Sequence, residues 1–104
     1  MTTSSEEPDP TGIWEVLGCK WTFHILRYLD AEDARFNQLQ DGIDGLPAST
    51  LSARLKGLQA ENVIERTVDE TATPPTVTYS LTEKGASLCP VFDAIGDWAK
   101  EWIA

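Results

Sequence analysis

Leu51, Leu55 and Leu58 return to one side of a helix, because residues four and seven apart share a face. The opposite side carries Ser49, Ala53, Lys56 and Ala60, with Thr50, Ser52 and Arg54 on its flanks. Directly after it come Val63-Ile-Glu-Arg-Thr-Val68 and Val77-Thr-Tyr-Ser-Leu81, two short runs rich in β-branched and aromatic residues. A polar tip with Thr73-Pro-Pro75 separates them, which is the pattern of a β-hairpin. Few folds accommodate an amphipathic helix with a small, hydroxyl-rich outer face joined at once to such a hairpin.

The pair reads as the recognition helix (about 47–61) and wing (about 63–82) of a winged helix-turn-helix. A helix of this kind is sized for a DNA major groove, and the wing flanks it on the backbone. The expected fold is mainly α with a small β-wing. Ser49, Thr50, Ser52, Ala53 and Lys56 are the expected DNA contacts, with hydroxyls and ammonium as donors to base edges and phosphates. Arg54 lies beside the leucine stripe, where it either holds a phosphate or braces the helix through an internal carboxylate.

Charge opposes this reading at first sight. Seventeen acids against eight basic residues give a formal net charge of −9, whereas a DNA-binding domain usually shows a basic footprint. The acids, however, are segregated: none falls between Gly45 and Ala60, while Arg54 and Lys56 both do. They gather instead in the amino-terminal ten residues, in Asp30-Ala-Glu-Asp33, at Asp41 and Asp44, and on the last helix. A strongly acidic surface suits a salt-loving protein. At molar salt the Debye length is only about 3 Å, so distant carboxylates would hardly repel DNA. The competing reading is an acidic winged-helix module that has lost DNA binding and works through protein contacts.

Other segments read as support. Residues 1–10 form a polar, acidic tail without the features of a signal peptide, and no apolar run is long enough to cross a bilayer, so a cytoplasmic protein is expected. The DNA-binding domain is expected over 11–82, beginning with a short helix through Gly12–Leu17 capped by Thr11. Trp21 to Leu29 is the first long helix, Phe36–Gln40 a short one entered through an extended Ala34-Arg35, and Asp41–Gly45 the turn. Pro47 suits the start of the recognition helix and Asn62 its stop. Thr82 is a good cap for the next helix, and Pro90 divides the terminal segment, 83–104, into two helices. In the second, Val91, Phe92, Ile95, Trp98, Ala99 and Trp102 alternate at spacings of three and four, a stripe richer than a small core needs. Trp14, Phe92, Ile95, Trp98 and Trp102 are therefore expected at a homodimer interface, the alternative being that the terminal tryptophans fold back onto Trp14 and Trp21.

Several motifs in order resemble one family. Gly18-Cys-Lys-Trp21, Ile25-Leu-Arg-Tyr-Leu29, Arg35-Phe-Asn-Gln-Leu39, Leu51-Ser-Ala-Arg-Leu-Lys-Gly-Leu58, Glu65-Arg66, Pro74-Pro75, Tyr79-Ser-Leu-Thr-Glu-Lys-Gly85 and Trp98 are similar to HxlR-type winged helix-turn-helix regulators, from about residue 12 to 102. The resemblance implies a dimeric transcription factor, related to MarR-type regulators, that joins through its terminal helices and binds a palindromic operator in double-stranded DNA. It also implies Thr76 as the wing contact, at a place where the family usually has a basic residue; Asp69 and Glu70 lie near the same tip. Cys19 replaces the second glycine of the family's Gly-Gly-Lys-Trp element, and Pro8 falls near the place of the reactive cysteine in redox members.

Cys19 is a candidate thiol sensor, because Lys20 beside it would lower a thiol pKa, or else a small buried filler; Cys89 reads as packing. Cys19 and His24 are five residues apart, about 140° around a helix, with no further ligand nearby, so neither metal nor cofactor is expected. His24 is expected on a dimer face or at the core edge. No nucleophile–base pair, glycine-rich phosphate loop or clustered carboxylate site points to an enzyme.

Overall fold

The structure, a computed structural model, describes Gly18 and residues 20–103. The expected helix over Gly12–Leu17, and with it Trp14 and Cys19, lies outside the described residues. Helices α1 (Thr22–Ala31), α2 (Phe36–Gly42) and α3 (Ala48–Ala60) are followed by strands β1 (Ile64–Asp69) and β2 (Thr76–Leu81), then α4 (Glu83–Ala86) and α5 (Cys89–Trp102).

The local rules place most of these boundaries. Pro47 precedes α3 in an extended conformation and its carbonyl accepts the Leu51 N–H at 2.9 Å, so the ring costs the helix no hydrogen bond. Asn62 ends α3 in the left-handed region at φ 59°, which a short polar side chain tolerates. The Thr82 hydroxyl accepts the Gly85 N–H at 3.0 Å and so caps α4, while Pro90 sits in the first turn of α5, where a missing N–H is harmless. Two expectations need adjusting. α1 starts at Thr22, because Trp21 stands ahead of it in a left-handed conformation, φ 80°, that a bulky residue seldom adopts. α2 runs two residues past Gln40, and Gly45 at φ 78° then makes the turn into α3.

β1 and β2 pair antiparallel, Ile64 opposite Leu81 through Asp69 opposite Thr76. Ala34, before α2, adds a bridge to the free edge of β2. Its N–H donates to the Tyr79 carbonyl at 3.0 Å and its carbonyl accepts the Tyr79 N–H at 2.7 Å. That bridge ties the start of the helix-turn-helix to the wing.

The core lies where α1, α2 and α3 converge beneath the root of the hairpin. Ile25, Leu26, Leu29, Leu39, Leu51, Leu55, Leu58, Val63 and Ile64 are buried there. Each leucine so buried contributes about 1.5–3 kcal/mol, so the Leu51/Leu55/Leu58 stripe alone anchors α3 firmly. Phe92 of α5 joins this core, its ring edge-on to Phe23 of α1 at 5.3 Å between centroids.

Candidate nucleic-acid interface

With its leucines buried, α3 turns its polar side outward. Ser49, Ala53 and Lys56 are exposed, and Thr50, Ser52 and Arg54 half-buried along its flanks. Because α3 and the turn from Gly45 carry no acid, this face is locally neutral to basic in a chain of net charge −9. Exposed hydroxyls and an ammonium on a rigid helix make a surface that donates to phosphate and base acceptors.

Arg54 braces α3, but not through a carboxylate. Its Nε donates to the main-chain carbonyl of Lys20 at 3.3 Å, so the brace runs to backbone rather than to a carboxylate. The bond joins α3 to the segment leading into α1, where the Lys20 ammonium lies 5.1 Å from the Trp21 ring centroid.

Strand alternation sorts the wing. Ile64, Arg66 and Val68 share one face with their partners Leu81, Tyr79 and Val77; Glu65, Thr67 and Asp69 share the other with Ser80, Thr78 and Thr76. Ile64 is buried, so the first of these faces is the one turned toward the helices. Thr76 therefore stands opposite Asp69 on the outer face, away from α3. At the tip, Asp69 accepts both the hydroxyl of Thr71, at 2.6 Å, and its N–H, at 3.0 Å. The Thr71 hydroxyl, then its N–H, hold the Asp69 carboxyl below its ordinary value.

The residue that sequence reasoning left out of the site is Arg66. It lines a cleft of about 300 Å³ between α3 and the wing, with Ser52, Leu55, Lys56, Gln59 and Tyr79. The signal was available in the alternation of β1, which puts Arg66 on the face of the buried Ile64, but it needed the packing of β1 on α3 to acquire a meaning.

The residues expected at a dimer interface divide. Val91, Ile95, Trp98 and Trp102 make one stripe on α5 and are 52, 52, 55 and 69% exposed. Phe92 departs from the expectation: it is 8% exposed, spent on the chain's own core against Phe23. Trp14 lies outside the described residues. His24 is exposed at the core edge, its ring 5.9 Å from that of Trp21 and 5.7 Å from that of Phe23.

Cys89 sits beside a cavity of about 180 Å³ between α1 and α5, with Leu26, Asp30, Phe92 and Asp93. Desolvation pushes its thiol up to about 11, and the neighbouring carboxylates Asp30 and Asp93 add to the effect. A thiol so placed is a poor nucleophile at neutral pH.

Helix, turn, second helix and paired-strand wing, in this order and with this exposed polar face, define a winged helix-turn-helix protein. A family model described as HxlR-like helix-turn-helix matches residues 16–104. An uncharacterized HTH-type transcriptional regulator of Bacillus subtilis, YvaP, is 37% identical over 89 residues, which span 86% of this chain and 82% of that protein. The HTH-type transcriptional regulator YodB of the same organism is 33% identical over 95 residues, 91% of this chain and 84% of its own. The solved reduced form of YodB matches this fold with a TM-score of 0.79 at 31% identity, covering 98% of this chain and 95% of that one. The chain belongs to the HxlR-like helix-turn-helix family and is a DNA-binding transcriptional regulator of that class.

Proposed function

We propose that the chain acts as a homodimer which sets two copies of α3 into successive major grooves of a palindromic operator, in the cytoplasm. The observation that carries this reading is the outward face of α3: solvent-accessible, free of acids and bordered by the wing, in a protein acidic elsewhere. Ser49, Thr50, Ser52 and Ala53 then meet base edges, and Lys56 a phosphate.

Dimerisation through α5 is supported by its stripe of Val91, Ile95, Trp98 and Trp102, exposed among the described residues and of the kind enriched at interface cores. Two-fold pairing is the commonest assembly and matches paired half-sites. The acidic remainder of the surface suits a cytoplasm rich in salt.

A gel shift against the DNA upstream of the chain's own gene, in KCl up to about molar, tests binding. Sedimentation equilibrium, with Trp98→Glu beside the natural protein, tests pairing. Specific retardation by a dimer is expected, with Trp98→Glu monomeric and weaker on DNA. A natural protein that is monomeric and ignores duplex DNA at every salt would instead favour the protein-interaction module.

A further inference from the structure

We propose that the cleft between α3 and the wing is a seat for one backbone phosphate of double-stranded DNA, held jointly by Lys56 and Arg66. The inference rests on the DNA-binding reading and deepens it.

The two cations reach the same cleft from different elements, Lys56 from α3 and Arg66 from β1. Among the described residues, neither makes an ion pair, a side-chain hydrogen bond or a ring contact. Four of the other six basic residues are committed: Arg54 to the Lys20 carbonyl, Lys84 to the Glu61 carbonyl at 2.7 Å, Lys20 to the Trp21 ring and Arg27 to the Phe23 ring. Two uncommitted cations lining one cleft offer an anion a site attracted to both. Among the described residues, no carboxylate lines the cleft. Strand alternation keeps Glu65 and Asp69 on the other face of the wing, where Glu65 faces Ser80 and Asp69 is occupied by Thr71.

Ser52 and Gln59 add neutral donors to the lining, and Tyr79, directly across from Arg66, is tied through its backbone to Ala34. The guanidinium thus projects from β1 opposite the point where β2 is held on both edges, and not from the tip, where Thr76 and Asp69 lie. Arginine presents a planar fork to a phosphate while lysine acts as a point charge, so the pair can grip one group from two directions. A duplex phosphate is the occupant of choice, since the cleft opens beside the outward face of α3. The wing then contacts DNA through its root, and an acidic tip is no obstacle.

The test is the salt dependence of operator affinity for the natural protein, Lys56→Ala, Arg66→Ala and the double variant. Each neutralised phosphate contributes about 0.9 to the slope of log affinity against log salt on B-DNA. A dimer carries two such clefts, so if both cations share one phosphate in each, every single variant lowers the slope by less than about 1.8 and the double by about 1.8 in total. Arg66→Lys, which keeps the charge, retains the slope. A double variant that loses about 3.6 shows two separate phosphates in each half of the dimer and overturns the shared seat. Normal slope in Arg66→Ala, in a protein whose melting is unchanged, overturns it too. Both results leave the regulator reading intact, whereas a natural protein without duplex affinity at any salt overturns both. Competition by inorganic phosphate at the same slope change would assign the cleft to free anions and also overturn the duplex seat.

Discussion

Gly85 lies where the helix after the wing touches the strand before it. A Cβ built there would press into the Val63 carbonyl oxygen, well inside the 3.0 Å that real Cβ atoms essentially never cross. Neither partner can turn aside, because the obstacle is backbone. The same carbonyl accepts the Thr82 N–H and the Thr82 hydroxyl, each at 3.1 Å, and that hydroxyl in turn caps the Gly85 N–H at 3.0 Å. Gly85→Ala must therefore push α4 off β1 and loosen these bonds. Losing two of them costs about 1–3 kcal/mol, and the overpacking adds about 1–3 kcal/mol. The sum, about 4 kcal/mol, is a large part of the 5–15 kcal/mol typical of a whole domain. Thermal unfolding followed by far-ultraviolet circular dichroism, at one protein concentration for both forms, should show the midpoint falling by roughly 15–30 °C. A fall under about 5 °C would mean that the Gly85–Val63 contact is not the rigid joint described.

Gly96→Ala should do the opposite, raising the midpoint by a few degrees: a Cβ there meets nothing within 4 Å, and alanine is better than glycine inside a helix by about 0.5–1 kcal/mol. A fall would show that a neighbouring chain fills that space. Arg54→Ala should lose about 1 kcal/mol of stability with the Lys20 bond, while leaving the salt slope of DNA binding unchanged; a slope lower by about 1.8, one phosphate in each half of the dimer, would make Arg54 a phosphate ligand. Alkylation of Cys89 in a Cys19→Ser protein should be slow at neutral pH and accelerate towards pH 11. Its raised pKa also favours the folded state only while the thiol is protonated, so that contribution is complete below the unfolded value near 9 and fades as pH climbs to about 11. Fast alkylation at pH 7 would contradict the half-buried, carboxylate-flanked setting. Unfolding free energy should rise with KCl towards molar, as repulsion within a chain of net charge −9 is screened; loss of stability over that range would remove the salt-loving reading.

What the sequence made legible was what neighbouring residues decide. The leucine stripe, the Pro47 start, the Asn62 stop, the Thr82 cap and the division at Pro90 each follow from interactions within about one helical turn, and the structure reproduces them. The two β-branched and aromatic runs around a Pro-marked turn likewise predicted the hairpin. The misjudged features depend on partners far along the chain. Phe92 belongs to the same periodic stripe as Ile95 and Trp98, and periodicity cannot tell a core position from an interface position at the border of two faces. Arg54 finds its partner 34 residues away, on a carbonyl that no side-chain pattern announces. Arg66 becomes a site residue only when β1 packs beside α3, and Thr76 is turned from it by the pairing that sets it opposite Asp69. Trp21 looked like the opening residue of a helix and is instead the left-handed joint in front of it.

Hydroxyl-radical footprinting of the chain on the DNA upstream of its gene bears most directly on the central claim, that α3 reads DNA as one of a two-fold pair. Two protected blocks, related by a dyad and centred about one helical turn apart, roughly 34 Å, are predicted at a stoichiometry of two chains per duplex. A single block at one chain per duplex, or uniform protection indifferent to sequence, would contradict it.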